Sequence, residues 1–424
     1  MATATYSVST GGTTLDEIYK KVQAGIYEAA QFGVPEWNWL QKLKKFDVDW
    51  SAREITFEVD INDDYGTASI IEGGKEARPS SVTVQTATVT WILLNNRFTQ
   101  SMTSEYIQQN TPKALLTNQL KFQGKKAVQG IRRKCGDMFY GFSTGTLCKV
   151  SAVSTDELTL KDMHGISGDG AAADARQCSD LFRAGDYVAD LDPTTPSLNT
   201  SGIFLVDSVS TSSNSITGSA VSDITGEAAD DLLVMANSLE NTTMASGTER
   251  NLNFIGLPDA CTSASVHGLA QGDYAKWDVG FEDTGGGRFT GIKLRKMKQG
   301  INNNGGGTMD TVIWSQGVEN DVVAQLQAGL RFSDAYAMEM DGAAKSKGIK
   351  FMTSRFVPDG YVYGFDSKNS VCKMTLLPEP SAPGLAAGDK LQDDSGKVFS
   401  LDYPAAMVYK NRGNLGYLSS VTEQ

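Results

Sequence analysis

Read from its residues alone, the chain is α+β and multi-domain, with a β-rich segment inserted into a mixed host. Three observations predict this. Residues 54–61 and 82–94 alternate as paired strands do, across a long intervening loop. One apolar stripe then runs at helical spacing from Leu116 to Met138. Residues 143–249 turn to Ser, Thr, Gly, Asp and Val in short strand-like runs, after which helical sequence resumes. At 424 residues the chain is too long for one compact core, so two or three domains are expected.

Residues 1–13 read as an extended arm, followed by a helix capped by Thr14 with Leu15, Ile18, Val22, Ile26 and Ala29 on one face. In "EITFEVDI", Ile55, Phe57, Val59 and Ile61 alternate with polar partners, and "VTVQTATVTWILL" supplies a second strand from Val82. The connection between them carries Gly66, Gly73-Gly74 and Arg78-Pro79, and a loop this long inside a compact domain tends to be functional. A lone hairpin is marginal in water, so this arm is expected to lie on something else, a first sign of assembly. Thr111 and Pro112 suit the N-cap and first position of the long helix, whose stripe is Leu116, Leu120, Gly124, Ala127, Ile131, Cys135 and Met138. In the β-rich segment "LCKVSAV", "ELTL", "DYVADL", "GIFLVDSV", "NSITGS" and "LLVMA" are strand candidates for a small barrel or sandwich. "NFIGLPDAC" and "HGLAQGDYAKWDVGF" read as irregular, "RFTGIKLRKMKQGI" as a helix, and Asn302–Gly307 as a flexible tip. "MDTVIWS" reads as a buried strand and "GVENDVVAQLQAGL" as a helix; strands in "GIKFMTSRF", "YVYGFD" and "PAAMVYKNRGNLGYLSSV" close the chain. The stretch "RFVPDGYVYGFD" turns at Pro358-Asp359-Gly360 and then shows apolar or tiny residues on both strand faces, which calls for cover on both sides.

The net charge of −12 argues against nucleic-acid binding by the whole surface, yet the charge is unevenly spread. Arg97, Lys113, Lys121, Lys125, Lys126, Arg132, Arg133 and Lys134 face a single acid, Glu105, between 97 and 134, whereas residues 143–249 carry 16 acids against 4 bases. Cys135, Cys148, Cys178, Cys261 and Cys372 are odd in number without a CxxC, as in a reducing compartment. With no signal-like opening and only "VTWILL" as an apolar run, a cytoplasmically made soluble protein without membrane contact is expected. His164 and His267 are the only histidines, too few for a multi-histidine metal site, and no GxSxG, HExxH or GxxxxGK[ST] occurs. "GGGRFTG" at 285–291 lacks the feeding strand that a phosphate cradle needs. "DINDDYG" from Asp60 imitates a calcium loop but has Tyr65 at the glycine position. Asn199 and Asn241 open glycosylation triplets, which mean little without secretion. No catalytic, cofactor-binding or metal residue is assigned, and the chain is expected not to be an enzyme.

The order of parts, with "GLAQGDYAKWDVGF", "TVIWSQG" and "RFVPDGYVYGFD", resembles the major capsid protein of tailed bacteriophages, the Hong Kong 97-type shell fold. The resemblance implies an N-terminal arm and helix at 1–50, an extended loop at 51–98 lying over a neighbouring subunit, and the spine helix of a peripheral domain at 99–142. It further implies an inserted β-barrel-like domain at 143–250, more peripheral domain at 251–310, an axial domain at 311–400 and peripheral strands at 401–424. The acidic insertion would face outward and the basic helix would touch packaged DNA without sequence preference. The strand in "YVYGFD" would have helices on one face and a neighbouring subunit on the other. Implied partners are copies of itself in hexamers and pentamers and a portal protein, and the family's pattern also admits a separate scaffolding protein and a decoration protein. About 50 residues before the hairpin leave no room for a fused scaffold. Lys75 sits where a cross-linking lysine could, without identified partners. The implied place is the virion capsid, assembled in the bacterial host cytoplasm. Rival readings are an encapsulin-type nanocompartment shell, which is typically shorter and lacks a large insertion, and a cytosolic enzyme with an unfamiliar site.

Overall fold

A computed structural model describes residues 49–50, 54–60, 84–100, 126–166, 178–191, 198–219, 230–236, 253–272, 277–329, 345–375, 384–390 and 397–423, with short breaks at 128, 132, 155–156 and 347. The chain is sheet-rich and forms two compact units. One comprises residues 1–42, 91–136 and 373–406, the other 43–90, 137–372 and 407–424. The N-terminal arm and helix, the start of the long helix, Lys75, the calcium-like loop and Asn241 lie outside the described residues.

In the larger unit β1 (Asp49–Trp50), β2 (Glu54–Asp60) and β3 (Val84–Thr90) form an antiparallel sheet, with Glu54 opposite Thr90 and Asp60 opposite Val84. The expected second hairpin strand is in fact two strands. The described pairing with β2 ends at Thr90, opposite Glu54, and after Trp91 the chain enters β4 (Ile92–Gln100), which runs antiparallel to a late strand of the other unit. Ile55, Phe57, Val59, Ala87 and Val89 are buried within this chain. The expectation that the hairpin's apolar face needs a neighbouring subunit is therefore corrected, since one chain already covers it.

The long helix is described over 126–140, where Ala127, Ile131, Cys135 and Met138 are buried as the stripe requires. Then β5 (Thr146–Ser154), β6 (Glu157–Lys161), β7 (Tyr187–Leu191), β8 (Leu198–Ser210), β9 (Ser215–Ser219) and β10 (Leu232–Met235) close into a barrel in the order β10-β5-β6-β9-β8-β7. Each of the six strand candidates falls on one of them. Leu147, Val150, Leu158, Leu160, Val188, Val206, Ile216 and Leu233 are buried. Asn214 takes a positive φ of 48° to finish the turn between β8 and β9. Its side chain accepts from Ser179 N at 2.9 Å and donates to Leu160 O at 2.6 Å, tying the turn to β6.

Beyond the barrel, "LPDACT" forms a short helix, α1 (Leu257–Thr262), where irregular chain was expected, and β11 (Ser265–Val266) pairs with β12 (Leu269–Ala270). β13 (Phe281–Asp283) precedes α2 (Gly291–Gly305), β14 (Thr311–Trp314) and α3 (Gln316–Gly329). β15 (Lys345–Ser346), β16 (Ile349–Thr353) and β17 (Val362–Phe365) follow. β18 (Val371–Thr375), β19 (Gly384–Lys390) and β20 (Lys397–Tyr409) form a second sheet with β4, before β21 (Leu415–Leu418) rejoins the first. The mixed sheet runs β13-β21-β17-β14-β16-β15 and so crosses the boundaries expected at 310/311 and 400/401. Hydrogen bonding to β17 and β14, not chain order, decides its membership.

β17 is buried on both faces inside one subunit. Val362 belongs to a core with Met297 and Ile301 of α2 and Val318 of α3. A Cβ on Gly364 would lie 2.3 Å from Met297 Sδ, so α2 sits almost on the strand backbone. Tyr363 points the other way, where Tyr140, Cys261 and Tyr417 lie near it, and burial pushes its phenol well above the usual range. The end of the long helix and α1 thus do what was assigned to a neighbouring subunit, and that expectation is corrected.

The glycine-rich segment 302–307 is not a flexible tip either. It is the end of α2, capped by Gly306 at φ 68° and wrapped around the turn from β20 to β21. Asn414 Oδ1 accepts from Gly307 N at 3.0 Å, and Asn411 Nδ2 donates to Gly305 O at 3.1 Å. Neighbouring Arg412, fully buried, donates from Nε to Ala260 O at 2.7 Å and from Nη2 to Cys261 O and Ser263 O at 3.1 and 2.6 Å. A Cβ on Gly280 would stand 2.1 Å from Gly413 O, a backbone atom that cannot swing aside. Gly280→Ala should accordingly cost at least about 2 kcal/mol. Gly291→Ala, which meets nothing within 4 Å, should stay within about 0.5 kcal/mol of the parent, as chemical denaturation of the two variants would read.

Candidate assembly surfaces

Both histidines are buried struts. His164, at φ 57° just after β6, donates from Nε2 to Phe356 O at 3.1 Å, and its Nδ1 lies 3.7 Å from Asp137 Oδ1. It joins the barrel, the long helix and the turn before β17. His267 accepts at Nε2 from Tyr409 N at 3.0 Å and offers its carbonyl to Thr88 N at 3.1 Å. Its ring stacks on Tyr409 and meets Phe57 edge-on at 5.8 Å, holding the hairpin to the end of β20. Among the described residues no group of three His, Cys, Asp or Glu is placed to hold a metal ion, and no helix is long and apolar enough to cross a membrane. Cys135, Cys148, Cys178 and Cys261 are buried and form no disulfide, and burial pushes the Cys261 thiol up to about 12.

A strand does feed "GGGRFTG", contrary to the sequence-based expectation. β13 precedes it and α2 follows, with Thr290 as N-cap accepting from Lys293 N. The loop is nevertheless committed to its own chain. Lys293 Nζ donates to Gly286 O, Gly285 N donates to Asp283 Oδ1 at 2.9 Å, and Thr422 N donates to Gly287 O at 3.2 Å.

What remains for another molecule is on the outside. Glu54, Glu58, Val84, Thr86, Thr88 and Thr90 are exposed on the outer face of the hairpin. The outer side of α2 exposes Ile292, Arg295, Lys296 and Gln299, and 288–298 holds five cations (Arg288, Lys293, Arg295, Lys296, Lys298) without an acid. Sequence reading passed over this cluster because the segment reads simply as a helix; counting charge in short windows would have found it. Of the cations expected on the long helix, Lys113, Lys121, Lys125 and Arg132 lie outside the described residues, Lys126 is exposed, and Arg133 and Lys134 are half-buried.

Burial pushes the His267 ring from 6.5 down to about 3, so it is neutral in the fold, with its proton on Nδ1. The unfolded chain takes up a proton near pH 6.5 that the folded chain refuses until about 3. Stability from this ring is therefore complete above about 6.5 and is lost as pH falls toward 3, at about 1.4 kcal/mol per pH unit. His267→Gln keeps an acceptor for Tyr409 N–H but cannot titrate. Its denaturation midpoint should fall less steeply between pH 6.5 and 4 than the parent's, and equal slopes would show that the ring is not the titrating group.

No protein-family model and no curated protein matches the chain. Solved structures similar to it include phage capsid proteins. The capsid asymmetric unit of cyanophage A-1(L) matches at 10% identity over 88% of this chain and 89% of that one, with a TM-score of 0.47. The capsid of a native GTA particle matches at 11% identity over 88% and 86%, with a TM-score of 0.43. A chain of Mycobacterium phage Adephagia matches at 12% identity over 89% and 88%, with a TM-score of 0.39.

Proposed function

We propose that this chain is the major capsid protein of a tailed bacteriophage, a Hong Kong 97-like subunit that self-assembles into the icosahedral head around double-stranded DNA. The observation that carries this is the order of parts. A hairpin with a long connection, a basic helix, a closed barrel and a mixed sheet flanked by α2 and α3 follow one another as the resemblance implies. In this reading 143–250 is the inserted domain, hexamers and pentamers form through copies of the chain, and portal, scaffolding and decoration proteins are its further partners. Its place is the virion shell, assembled in the host cytoplasm, and the chain carries no catalytic residue. Negative-stain microscopy of the purified protein tests the whole, with shells, tubes or capsomers as the expected result and monodisperse subunits as the contrary one.

Two narrower outcomes follow from the same reading. The connection 61–83 leaves a hairpin whose apolar face is already covered, so replacing 63–81 by an Asn-Gly turn should leave a folded subunit by circular dichroism. Sedimentation velocity should then find it unable to close shells; full-sized particles at normal yield would remove the loop from the assembly machinery. The barrel has its own buried interior and no open edge, so 143–250 expressed alone should give dispersed amide signals by NMR, where a collapsed random-coil spectrum would count against that boundary.

A further inference from the structure

We infer that His164 and Asp137 form a pH-dependent latch that fastens the barrel to the rest of the larger unit, drawn tight by one proton between His164 Nδ1 and the Asp137 carboxylate. The two side chains come from different parts of the chain, Asp137 from the long helix and His164 from the segment just after β6. The ring's Nε2 meets the Phe356 carbonyl at 3.1 Å. A carbonyl can only accept, so Nε2 must carry a hydrogen. A neutral ring then turns the lone pair of Nδ1 toward Asp137 Oδ1, 3.7 Å away. Two acceptors face each other there, on side chains that are 0% and 8% exposed. A second ring proton, on Nδ1, turns that opposition into a charge-assisted contact, and the buried imidazolium and carboxylate offset one another.

The pair sits where the chain passes into and out of the barrel. A Cβ on Gly141 would lie 3.3 Å from His164 Nδ1, 3.3 Å from Asn253 Nδ2 and 3.1 Å from Asp137 O. Gly256 is packed closer still, since its Cβ would stand 2.0 Å from Gly141 O. A change at the pair is therefore felt by both crossings at once. The other ties at the junction run from Asn253 Nδ2 to Phe142 O at 3.3 Å and from Ser143 N to Asp259 Oδ2 at 2.7 Å. Among the ionisable groups around the pair, Asp162 is held by Lys149 at 3.3 Å, and burial keeps the Cys148 thiol protonated. The turn that carries Phe356 adds exposed Arg355, which lies over the Phe356 ring, and buried Asp359. Of all these side chains only imidazole ordinarily titrates near neutrality. The latch is thus fully drawn at acid pH and relaxes as pH rises and the ring gives up its second proton. His267 runs the other way, because its Nε2 accepts from Tyr409 N and a second proton would break that bond.

Hydrogen exchange read by mass spectrometry on the purified full chain tests the latch. It works on subunits and particles alike, so its outcome is separate from that of the shell-subunit reading. Peptides covering 141–146 and 253–256 are compared at about pH 5.5 and about pH 8.5, after correction for intrinsic exchange rates. Protection should be at least about tenfold greater at the lower pH. His164→Gln keeps a donor for Phe356 O but cannot titrate, and Asp137→Asn removes the carboxylate. Each should abolish the difference, whereas His267→Gln should keep it. No difference in the parent, its persistence in either junction variant, or its loss in His267→Gln would overturn the latch. Should a junction variant fail to fold, nitrogen-15 ring signals of the parent and of His267→Gln identify His164 directly. Both of its ring nitrogens should carry protons at about pH 5.5, and a neutral ring there would equally overturn the latch.

Discussion

A guanidinium taken out of water costs several kcal/mol unless its N–H groups find acceptors where it ends up. Arg412 finds them for Nε and Nη2 at the end of α1, a helix of six residues whose last carbonyls have no partner within the helix. The same turn puts Asn414 against the glycines that finish α2 and the Gly413 carbonyl against Gly280. Three consecutive residues thus fix α1, the end of α2, the entry to β13 and the start of β21. Because β21 pairs with both β13 and β17, the mixed sheet takes its order from this turn. Burial lowers the pKa of Arg412, but a guanidinium has so much margin that it stays charged.

The larger unit spends its apolar surface internally. The hairpin's inner face lies against His267, β17 is closed on both sides, and His164 bridges three segments. Among the described residues the large exposed apolar side chains are Val84, Leu93 and Ile292.

Strand and helix identity was legible wherever periodicity is enforced by burial on a known side. The six barrel strands, β2, β14, β16, α2 and α3 were all readable as hydrophobic pattern bounded by turn residues. Long-range decisions were not. Nothing local says that the chain leaves β2 at Trp91, that 302–307 wraps Asn414, or that β21 sits between β13 and β17. Each depends on a partner some 50 to 300 residues away, at Asn414 or in β20 or β21. The two-sided burial of "YVYGFD" was visible, but whether the second cover came from Tyr140 and Cys261 or from another molecule could not be read from the strand. The cationic face of α2 was visible as charge and passed over because helical spacing alone explained the segment.

Closure of the barrel has a consequence for crowding. β10 pairs with β7 as well as β5, so every one of its six strands has a neighbour on both sides. An open sheet of the same composition, packed in many copies at close range, would present unpaired N–H and C=O rows to identical rows nearby and invite strand exchange between them. A ring of strands has no such rows to offer. While closed, the segment can be set beside its own copies without offering an unpaired strand edge for cross-β stacking, a property that neither its acidity nor its hydrophobic content could supply.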